Sequence, residues 1–360
     1  MNQPFVPLLE AWRGDCLESL HQGAFAIVNA KGELLACAGD PSHVTFLRSS
    51  AKPFQALPFV EHGGVEAFDF TPAELALICA SHDGAAIHLN TVRALQEKIG
   101  IAESELQCGA HWPADAHSYR ALILSGREPS PNYNNCSGKH TGMLAHARLH
   151  GWSTHDYLDP RHPLQQEILQ SLAEMCDYPR KRIQVAIDGC SAPTFALPLY
   201  HAALGIARLC DPRGLPERRA WASRQIVQAM IAHPEMVDGE DGFDTLLMRA
   251  ARGRLLSKGG AEGFQVIGIL PNALAPGSPG IGIALKIADG DLPLRSADGR
   301  TSSRARPRVV MEILRQMGLS IDEAILAIDP LIRNHRNLVV GSYRAVFRLD
   351  GGRWPVDRGR

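Results

Sequence analysis

The chain has 360 residues, with 37 Lys and Arg against 38 Asp and Glu and a formal net charge of −1. This balance, without a long run of one sign, argues against a nucleic acid or an anionic membrane as partner and favours a small, roughly neutral substrate. The length leaves room for a sizeable core, which we expect in a single catalytic unit over 1–360 or in two closely packed subdomains.

The amino-terminal half predicts a mixture of strands and helices. The stretch AFAIVNAKGELLACAGD alternates apolar and polar residues around Lys31-Gly32, which predicts a β-hairpin. Thr71-Pro72-Ala73-Glu74 is a strong helix start, and the break at 81–84 places Ser81 at a helix end or turn. The apolar spacing also predicts helices over 88–98, from about Thr141 after a loop, and over about 162–175.

The carboxyl-terminal half adds further strands. IQVAIDGCSAP predicts a strand followed by a turn, FQVIGILP and GIGIALKIADG predict paired strands, and NLVVGSYRAVFRL predicts a last strand. Strands at both ends and helices in the middle favour an α+β fold, an antiparallel sheet built from both termini and packed by helices. Predicted helices cover about 194–209, 217–232, 243–251 and 308–317, the last after a basic loop around 300–308.

Eight cysteines are scattered along the chain without a CxxC pair. This spacing is unlike a small secreted disulfide scaffold, and the amino terminus lacks a basic region followed by a long apolar run. We therefore expect a cytoplasmic protein in which most cysteines are buried apolar residues.

RSSAKPFQALP contains Ser49 and Lys52, which are three residues apart. On a helical or 3₁₀ turn this spacing puts both side chains on one face, as in serine acyl-transfer enzymes with a Ser-x-x-Lys motif. The alternative is a helix-capping serine with an exposed lysine. Because Pro53 disfavours α geometry at Lys52 but suits a first helical turn, we expect a strained or 3₁₀ entry.

Ser81 and Lys258 form a second candidate pair, although their separation in sequence does not show that they meet. Lys258 precedes two glycines, which would allow a backbone to approach a substrate closely. The alternative is a solvated loop lysine.

Cys136 in NCSGKH and Cys190 in DGCSAP are candidate metal ligands, because each sits in a turn beside Gly and Ser. Lys139 and His140 are candidate third ligands or hydrogen-bonding partners of the ligands. The alternative is two unrelated cysteines in turns.

Several familiar motifs are incomplete. The segment around Lys139 is not a phosphate-binding loop, since Tyr133 replaces its earlier glycine and His140 its Ser or Thr. GCSAP ends in Pro193 where a nucleophile elbow has glycine, PGIGIALK lacks the third glycine of a dinucleotide motif, and no HExxH occurs.

Six segments carry a resemblance to a known family through their order and spacing: RSSAKPFQALP, CASHDG, NYNNCSGKHTGML, IDGCSAPTFALP, SKGGAEG and GIALKIADG. Over about 7–345 the sequence resembles the rhizobial-type, or class 3, L-asparaginases. The resemblance implies a fold related to serine β-lactamases and glutaminases, and a homodimer.

The resemblance also implies roles for individual residues. It implies two Ser-Lys tandems, Ser49 with Lys52 and Ser81 with Lys258, and an acidic residue near substrate and metal at Asp188. It further implies a zinc site made of Cys136, Lys139 and Cys190.

These residues support a hypothesis for the reaction. Neutral Lys52 takes the proton of Ser49, and Ser49 Oγ attacks the side-chain amide of L-asparagine to form an acyl-enzyme. Water then hydrolyses the acyl-enzyme, while Ser81 and Lys258 relay protons. Arg48 is the candidate clamp for the substrate carboxylate, or else an ordinary surface pair. The rival functions are a glutaminase, a penicillin-recognising serine acylase, and a zinc-dependent amino-acid sensor without turnover.

Overall fold

The computed structural model describes residues 4–292, 294–295, 301–326 and 328–349. The strands are β1 (Val6–Arg13), β2 (Cys16–Asn29), β3 (Leu34–Ala38), β4 (Val44–Phe46), β5 (Gln184–Ile187), β6 (Pro193–Pro198), β7 (Leu255–Gly260), β8 (Phe264–Ile269), β9 (Ile281–Ile287), β10 (Leu294–Arg295), β11 (Thr301–Ser302), β12 (Leu331–Arg333) and β13 (Val339–Ala345).

The helices are α1 (Lys52–Glu61), α2 (Gly64–Ala67), α3 (Pro72–Ile78), α4 (Ala86–Ile99), α5 (Ala116–Ser125), α6 (Ser137–Leu149), α7 (Pro163–Met175), α8 (Leu199–Cys210), α9 (Glu217–Ala232), α10 (Pro234–Asp238), α11 (Phe243–Ala250), α12 (Arg306–Gln316) and α13 (Glu323–Leu326). Four 3₁₀ turns cover Arg48–Ala51, Glu103–Glu105, Pro131–Tyr133 and Arg180–Arg182.

The main sheet joins the two ends of the chain. Its strand order is β12-β13-β1-β2-β9-β8-β7, with β3 also paired to β2, and every pairing is antiparallel. Leu9 on β1 lies opposite Ala345 on β13, and Phe25 on β2 lies opposite Leu285 on β9. The predicted α+β fold, with an antiparallel sheet from both termini, is confirmed.

Helix α8 packs directly on the centre of this sheet. Gly282 on β9 and Gly268 on β8 face it, and a Cβ on Gly282 would overlap the carbonyl oxygen of Ala203 on α8. A Cβ on Gly268 would likewise overlap the sulfur of Cys210. Position 282 therefore needs glycine because the helix backbone approaches β9 closely, and glycine at 268 leaves room for the Cys210 side chain.

The remaining helices form a layer in which α1 packs against α6, α7 and α9. Helix α3 begins with the predicted capping box, since Thr71 accepts from the Glu74 amide and Glu74 accepts from the Thr71 amide. Buried apolar residues of the sheet and this layer form a contiguous cluster. Among the described residues, none of the helices has the length and apolar character needed to cross a bilayer.

Most elements predicted from the sequence are confirmed within a few residues. They include the hairpin β2–β3, the helices α3, α4, α7, α9, α11 and α12, the paired strands β8 and β9, and the final strand β13. The predicted basic loop around 300–308 lies partly outside the described residues.

Two helix starts were predicted wrongly. The helix expected from Thr141 begins at Ser137. The prediction missed its first turn because that turn contains Gly138, which packs tightly against the backbone of Leu77 and interrupts the helical sequence pattern. The helix expected over 194–209 begins only at Leu199, because 193–198 form a buried strand between β4 and β5. A continuous apolar run does not show where a strand gives way to a helix.

Candidate active site

The Ser-x-x-Lys segment enters α1 through a 3₁₀ turn, as expected. Arg48 begins the turn with a φ of 51°, and Lys52 and Pro53 open the helix. Strand β7 lies against this turn, since the Ser50 hydroxyl donates to the Lys258 carbonyl at 2.8 Å. A Cβ on Gly260 would lie 2.6 Å from the Leu47 carbonyl oxygen, so the close approach requires glycine there.

The hydroxyl of Ser81 lies between two lysines. Lys52 Nζ and Lys258 Nζ are each 3.0 Å from Ser81 Oγ. Both lysine side chains are buried, with 1% exposure each. The structure thus brings the lysines of the two predicted Ser-Lys pairs together at Ser81. Because both lysines are buried, the alternatives of an exposed Lys52 and a solvated loop Lys258 are wrong.

The amine of Lys52 is surrounded by oxygen acceptors. Besides Ser81 Oγ, it donates to the carbonyl oxygens of Ala80 and Asn135, the latter at 3.3 Å. Three acceptors match the three N–H bonds of an ammonium group.

Lys258 has a different environment. Its amine donates to the Gly259 carbonyl at 2.9 Å and lies 3.8 Å from Asp244 Oδ2. Burial lowers the pKa of Lys258, and the nearby charges of Lys52 and Arg306 add to this effect against the opposing Asp244 and Asp238. Lys258 is therefore neutral more readily than an ordinary lysine.

Asp244, which was not predicted as a site residue, is the acidic neighbour of Lys258. Its buried carboxylate accepts from the Ser257 hydroxyl at 2.6 Å, the Gly259 amide at 2.6 Å and the Gln265 side chain at 2.8 Å. These three hydrogen bonds fix the position of the carboxylate. An Asp in the first turn of α11 has no distinguishing sequence signal, because acidic residues are common at helix starts.

Asp238 lies beside Asp244 at the end of α10. Desolvation and the neighbouring Asp244 carboxylate raise the pKa of Asp238 from 3.8 to about 7. The folded state therefore holds this proton more tightly than the unfolded chain, and the associated stability is complete below about pH 4 and lost as the pH rises through 7.

Replacing Asp238 by asparagine is expected to flatten this dependence. Between about pH 5 and pH 8, the Tm of the parent protein should fall by roughly 2 °C or more relative to Asp238→Asn. Thermal unfolding of both proteins across this range measures the difference. Parallel Tm curves would show that Asp238 is ionised throughout.

Ser49 is half-buried in the 3₁₀ turn that precedes Lys52. Among the hydrogen bonds of the described residues, none involves its hydroxyl. Ser49 thus lies three residues before Lys52, with a side chain that is available to a bound molecule.

Cys136, Lys139 and Cys190 are brought together at the start of α6, as predicted. All three are buried, with Lys139 Nζ 2.9 Å from Cys190 Sγ and the Cys190 thiol within hydrogen-bonding reach of Cys136. The bond from Cys190 and the charges of Lys52 and Lys139 outweigh burial and hold the pKa of Cys136 well below its usual value. The two cysteines are therefore not unrelated, and one of them carries thiolate character.

The donor set of this cluster fits a zinc ion. Zinc binds thiolates and neutral nitrogen ligands, and both kinds are adjacent here. Although burial opposes a charge on Lys139, Cys136 and Cys190 raise its pKa, so binding of a metal would release a proton from the amine. Zinc at this cluster stays a prediction.

One ring nitrogen of His140 is engaged by a tyrosine. His140 is buried, and its Nδ1 lies 2.7 Å from the Tyr157 hydroxyl. Burial, together with the charges of Lys139 and Lys52, lowers the pKa of His140 well below 6.5. A neutral imidazole that helps to enclose the cysteine cluster is consistent with the supporting role predicted for His140.

Arg48 and Asp188 form a two-pronged ion pair. Arg48 Nε and a terminal nitrogen lie 2.9 and 2.7 Å from Asp188 Oδ1. Burial opposes ionisation of Asp188, but Arg48 and the Gly189 amide hold its pKa below the usual range. The two residues predicted to meet the substrate are therefore neighbours, and they neutralise each other in the absence of a ligand.

Comparisons with known proteins give a family and distant structural likenesses. The family model described as L-asparaginase II matches residues 9–345. A Bacillus glutaminase solved in 4.3 M NaCl is 12% identical, with 83% of this chain and 91% of that chain covered and a TM-score of 0.39. A probable glutaminase from Bacillus subtilis complexed with 6-diazo-5-oxo-L-norleucine is 12% identical, covering 83% of this chain and 84% of that one with a TM-score of 0.40.

A search of curated protein sequences found no match. The family match nevertheless covers nearly the whole chain and includes every predicted site residue. The chain belongs to the L-asparaginase II family.

Proposed function

We propose that the protein hydrolyses the side-chain amide of L-asparagine to L-aspartate and ammonia through an acyl-enzyme on Ser49. Family membership supports an amidohydrolase. The proposal rests on the Ser81 hydroxyl, which is held 3.0 Å from both Lys52 and Lys258, while Ser49 lies in the turn that leads directly into Lys52. A protein that only binds an amino acid has no need of such a proton pathway.

The two lysines share a limited positive charge. Two ammonium groups beside one hydroxyl repel each other, and burial disfavours the charge of both. We therefore expect one of the two lysines to be protonated and the other to be neutral. The lowered pKa of Lys258 makes its neutral form, which can accept a proton, more available than that of an ordinary lysine. When Lys52 passes a proton through Ser81 to Lys258, its amine becomes free to take the proton of Ser49.

The chemical steps follow from this arrangement. Ser49 Oγ attacks the amide carbon as Lys52 removes its proton, and the C–N bond breaks as that proton passes to the leaving nitrogen. Ammonia departs and leaves a β-aspartyl ester on Ser49. A water molecule, deprotonated by the same amine, then attacks the ester to release aspartate and restore the hydroxyl.

The Arg48–Asp188 ion pair offers both charges that a free amino acid requires. The guanidinium suits the α-carboxylate of the substrate, and the carboxylate suits its α-ammonium group. A zwitterion would satisfy each partner without leaving a charge unpaired. This recognition favours a free amino acid over a peptide.

Cys136, Lys139 and Cys190 are the residues that would hold zinc. Zinc bound there would supply fixed positive charge that stabilises the thiolates and attracts a carboxylate. The cytoplasmic location and the homodimer remain expectations from the sequence.

Ammonia release from L-asparagine, L-glutamine and a chromogenic β-lactam, measured side by side, tests the function. We expect the largest kcat/KM with L-asparagine and no turnover of the β-lactam. A higher kcat/KM with glutamine would make the protein a glutaminase, and β-lactam hydrolysis would make it a penicillin-recognising acylase. Saturable binding of asparagine without ammonia release would make it an amino-acid sensor.

Replacing Cys190 by alanine is expected to lower the zinc content of the protein and to raise the apparent KM for asparagine roughly 10-fold, equivalent to about 1.4 kcal/mol of binding. The reason is that Cys190 would hold the zinc and lies in the same turn as Asp188. Metal analysis and steady-state kinetics measure the two effects. Cys16→Ala, at an exposed cysteine, is the matched control.

An unchanged KM in Cys190→Ala would assign the cluster a purely structural role. Zinc content equal to that of the parent protein would mean that Cys190 is not a ligand.

A further inference from the structure

Three histidines and a glutamate cluster at the opposite end of α6 from the cysteine pair. His146 lies on α6 and Glu167 lies on α7, while His150 and His62 are the residues that directly follow α6 and α1. One ligand atom from each residue lies within 4.8 Å of the others. None of these residues belongs to the candidate active site.

The spacing of these atoms suits a small cation. His62 Nδ1 lies 2.8 Å from His150 Nε2 and 3.7 Å from Glu167 Oε2, and His146 Nε2 lies 2.8 Å from the same carboxylate. Ligands about 2.1 Å from a tetrahedral zinc ion are roughly 3.4 Å apart. The observed separations lie on both sides of that value, so rotation of the side chains would be enough to enclose an ion.

The backbone around the cluster also favours positive charge. His62 and His150 are the residues at which α1 and α6 end, so the carboxyl-terminal ends of two helices meet here. The carbonyl groups of a helix end carry partial negative charge. His146 and His150 are four residues apart and therefore share one face of α6.

The protonation of the cluster is compatible with metal binding. Burial lowers the pKa of His146 and of His150, and the bond from His146 lowers the pKa of Glu167. Neutral imidazoles and an ionised carboxylate are the forms that bind metals. The cluster is also reachable, since His62 and Glu167 keep 37% and 34% of their side-chain surface exposed.

We propose that His62, His146, His150 and Glu167 form a second, structural zinc site that ties the carboxyl-terminal ends of α1 and α6 to α7. Three imidazoles and a carboxylate are typical zinc ligands, and four protein ligands leave no open position for catalysis. Helices α1 and α6 carry Lys52 and Lys139 in their first turns. The ion fixes the far ends of the two helices whose starts build the active site.

The site is separate from the cysteine cluster. Lys139 and His146 are seven residues apart on α6, which corresponds to roughly 10 Å along the helix. No residue is shared between the two ligand sets. The proposal therefore stands or fails independently of asparagine hydrolysis.

Zinc binding to full-length Cys190→Ala protein, stripped of metal by chelation, tests the proposal. Calorimetric titration is expected to show about one zinc per chain, with a Tm that increases with zinc concentration. Adding His150→Ala or, separately, His62→Gln is expected to weaken binding at least 10-fold and to remove the Tm increase. His117→Ala, at an exposed histidine on α5, serves as the control and should bind as Cys190→Ala does.

Trp152 provides a second readout in the unmodified protein. Its ring stacks on His150 at 4.4 Å with an interplanar angle of 16°. Nickel bound at the site should quench the fluorescence of Trp152, and Trp152→Phe should lose that quenching.

The proposal is overturned if Cys190→Ala binds no zinc up to about 100 µM. It is also overturned if His150→Ala and His62→Gln both leave the affinity unchanged.

Discussion

Replacing Ser49 by alanine is expected to lower kcat for asparagine hydrolysis about 10⁴-fold or more, because the residual rate then depends on binding and electrostatics alone. Ser81→Ala is expected to lower kcat for a different reason. It interrupts the proton pathway between Lys52 and Lys258 but leaves the nucleophile in place. Steady-state ammonia release from both variants and the parent protein measures these losses.

Mass spectrometry after rapid acid quenching separates the two roles. An aspartyl adduct should map to Ser49 in the parent protein and in Ser81→Ala, and should be absent from Ser49→Ala. Ser50→Ala is the matched neighbour, because it removes one hydrogen bond to the Lys258 carbonyl and should cost roughly 10-fold at most. An adduct on Ser81 would reverse the assignment of nucleophile and relay.

Replacing Asp244 by alanine is expected to lower the free energy of unfolding by about 3–5 kcal/mol, the usual cost of removing one partner of a buried ionic network. The change would leave the Ser257 hydroxyl, the Gly259 amide and the Gln265 amide without their acceptor. It would also remove the carboxylate nearest to Lys258. Urea denaturation followed by circular dichroism measures the loss.

Asp15→Ala provides the comparison for Asp244→Ala. Asp15 is exposed in the turn between β1 and β2, so the change should alter stability by about 0.5 kcal/mol or less. The loss in the free energy of unfolding for Asp244→Asn should lie between those of Asp244→Ala and Asp15→Ala, since the amide can still accept hydrogen bonds from some of the three donors. If Asp244→Ala were as stable as Asp15→Ala, the network would not contribute to the fold.

Sequence patterns predicted the strands and helices best where neighbouring residues alone decide the structure. The Thr71–Glu74 capping box and the turn at Lys31-Gly32 were both correct, because caps and tight turns are local. The pattern failed over 193–198, where an apolar run is a strand only because β4 and β5 lie on either side of it.

Local patterns were sufficient to predict the candidate residues for chemistry, the Ser-x-x-Lys spacing of Ser49 and Lys52, and the antiparallel sheet from both termini. The packing of the chain was needed to show that Lys258 meets Lys52 at Ser81, that Asp244 lies 3.8 Å from Lys258, and that His62 joins the histidines of α6. The residues that meet at these places are far apart along the chain. Hydrogen bonds between residues far apart in sequence depend on how whole elements pack, and no local pattern encodes that packing.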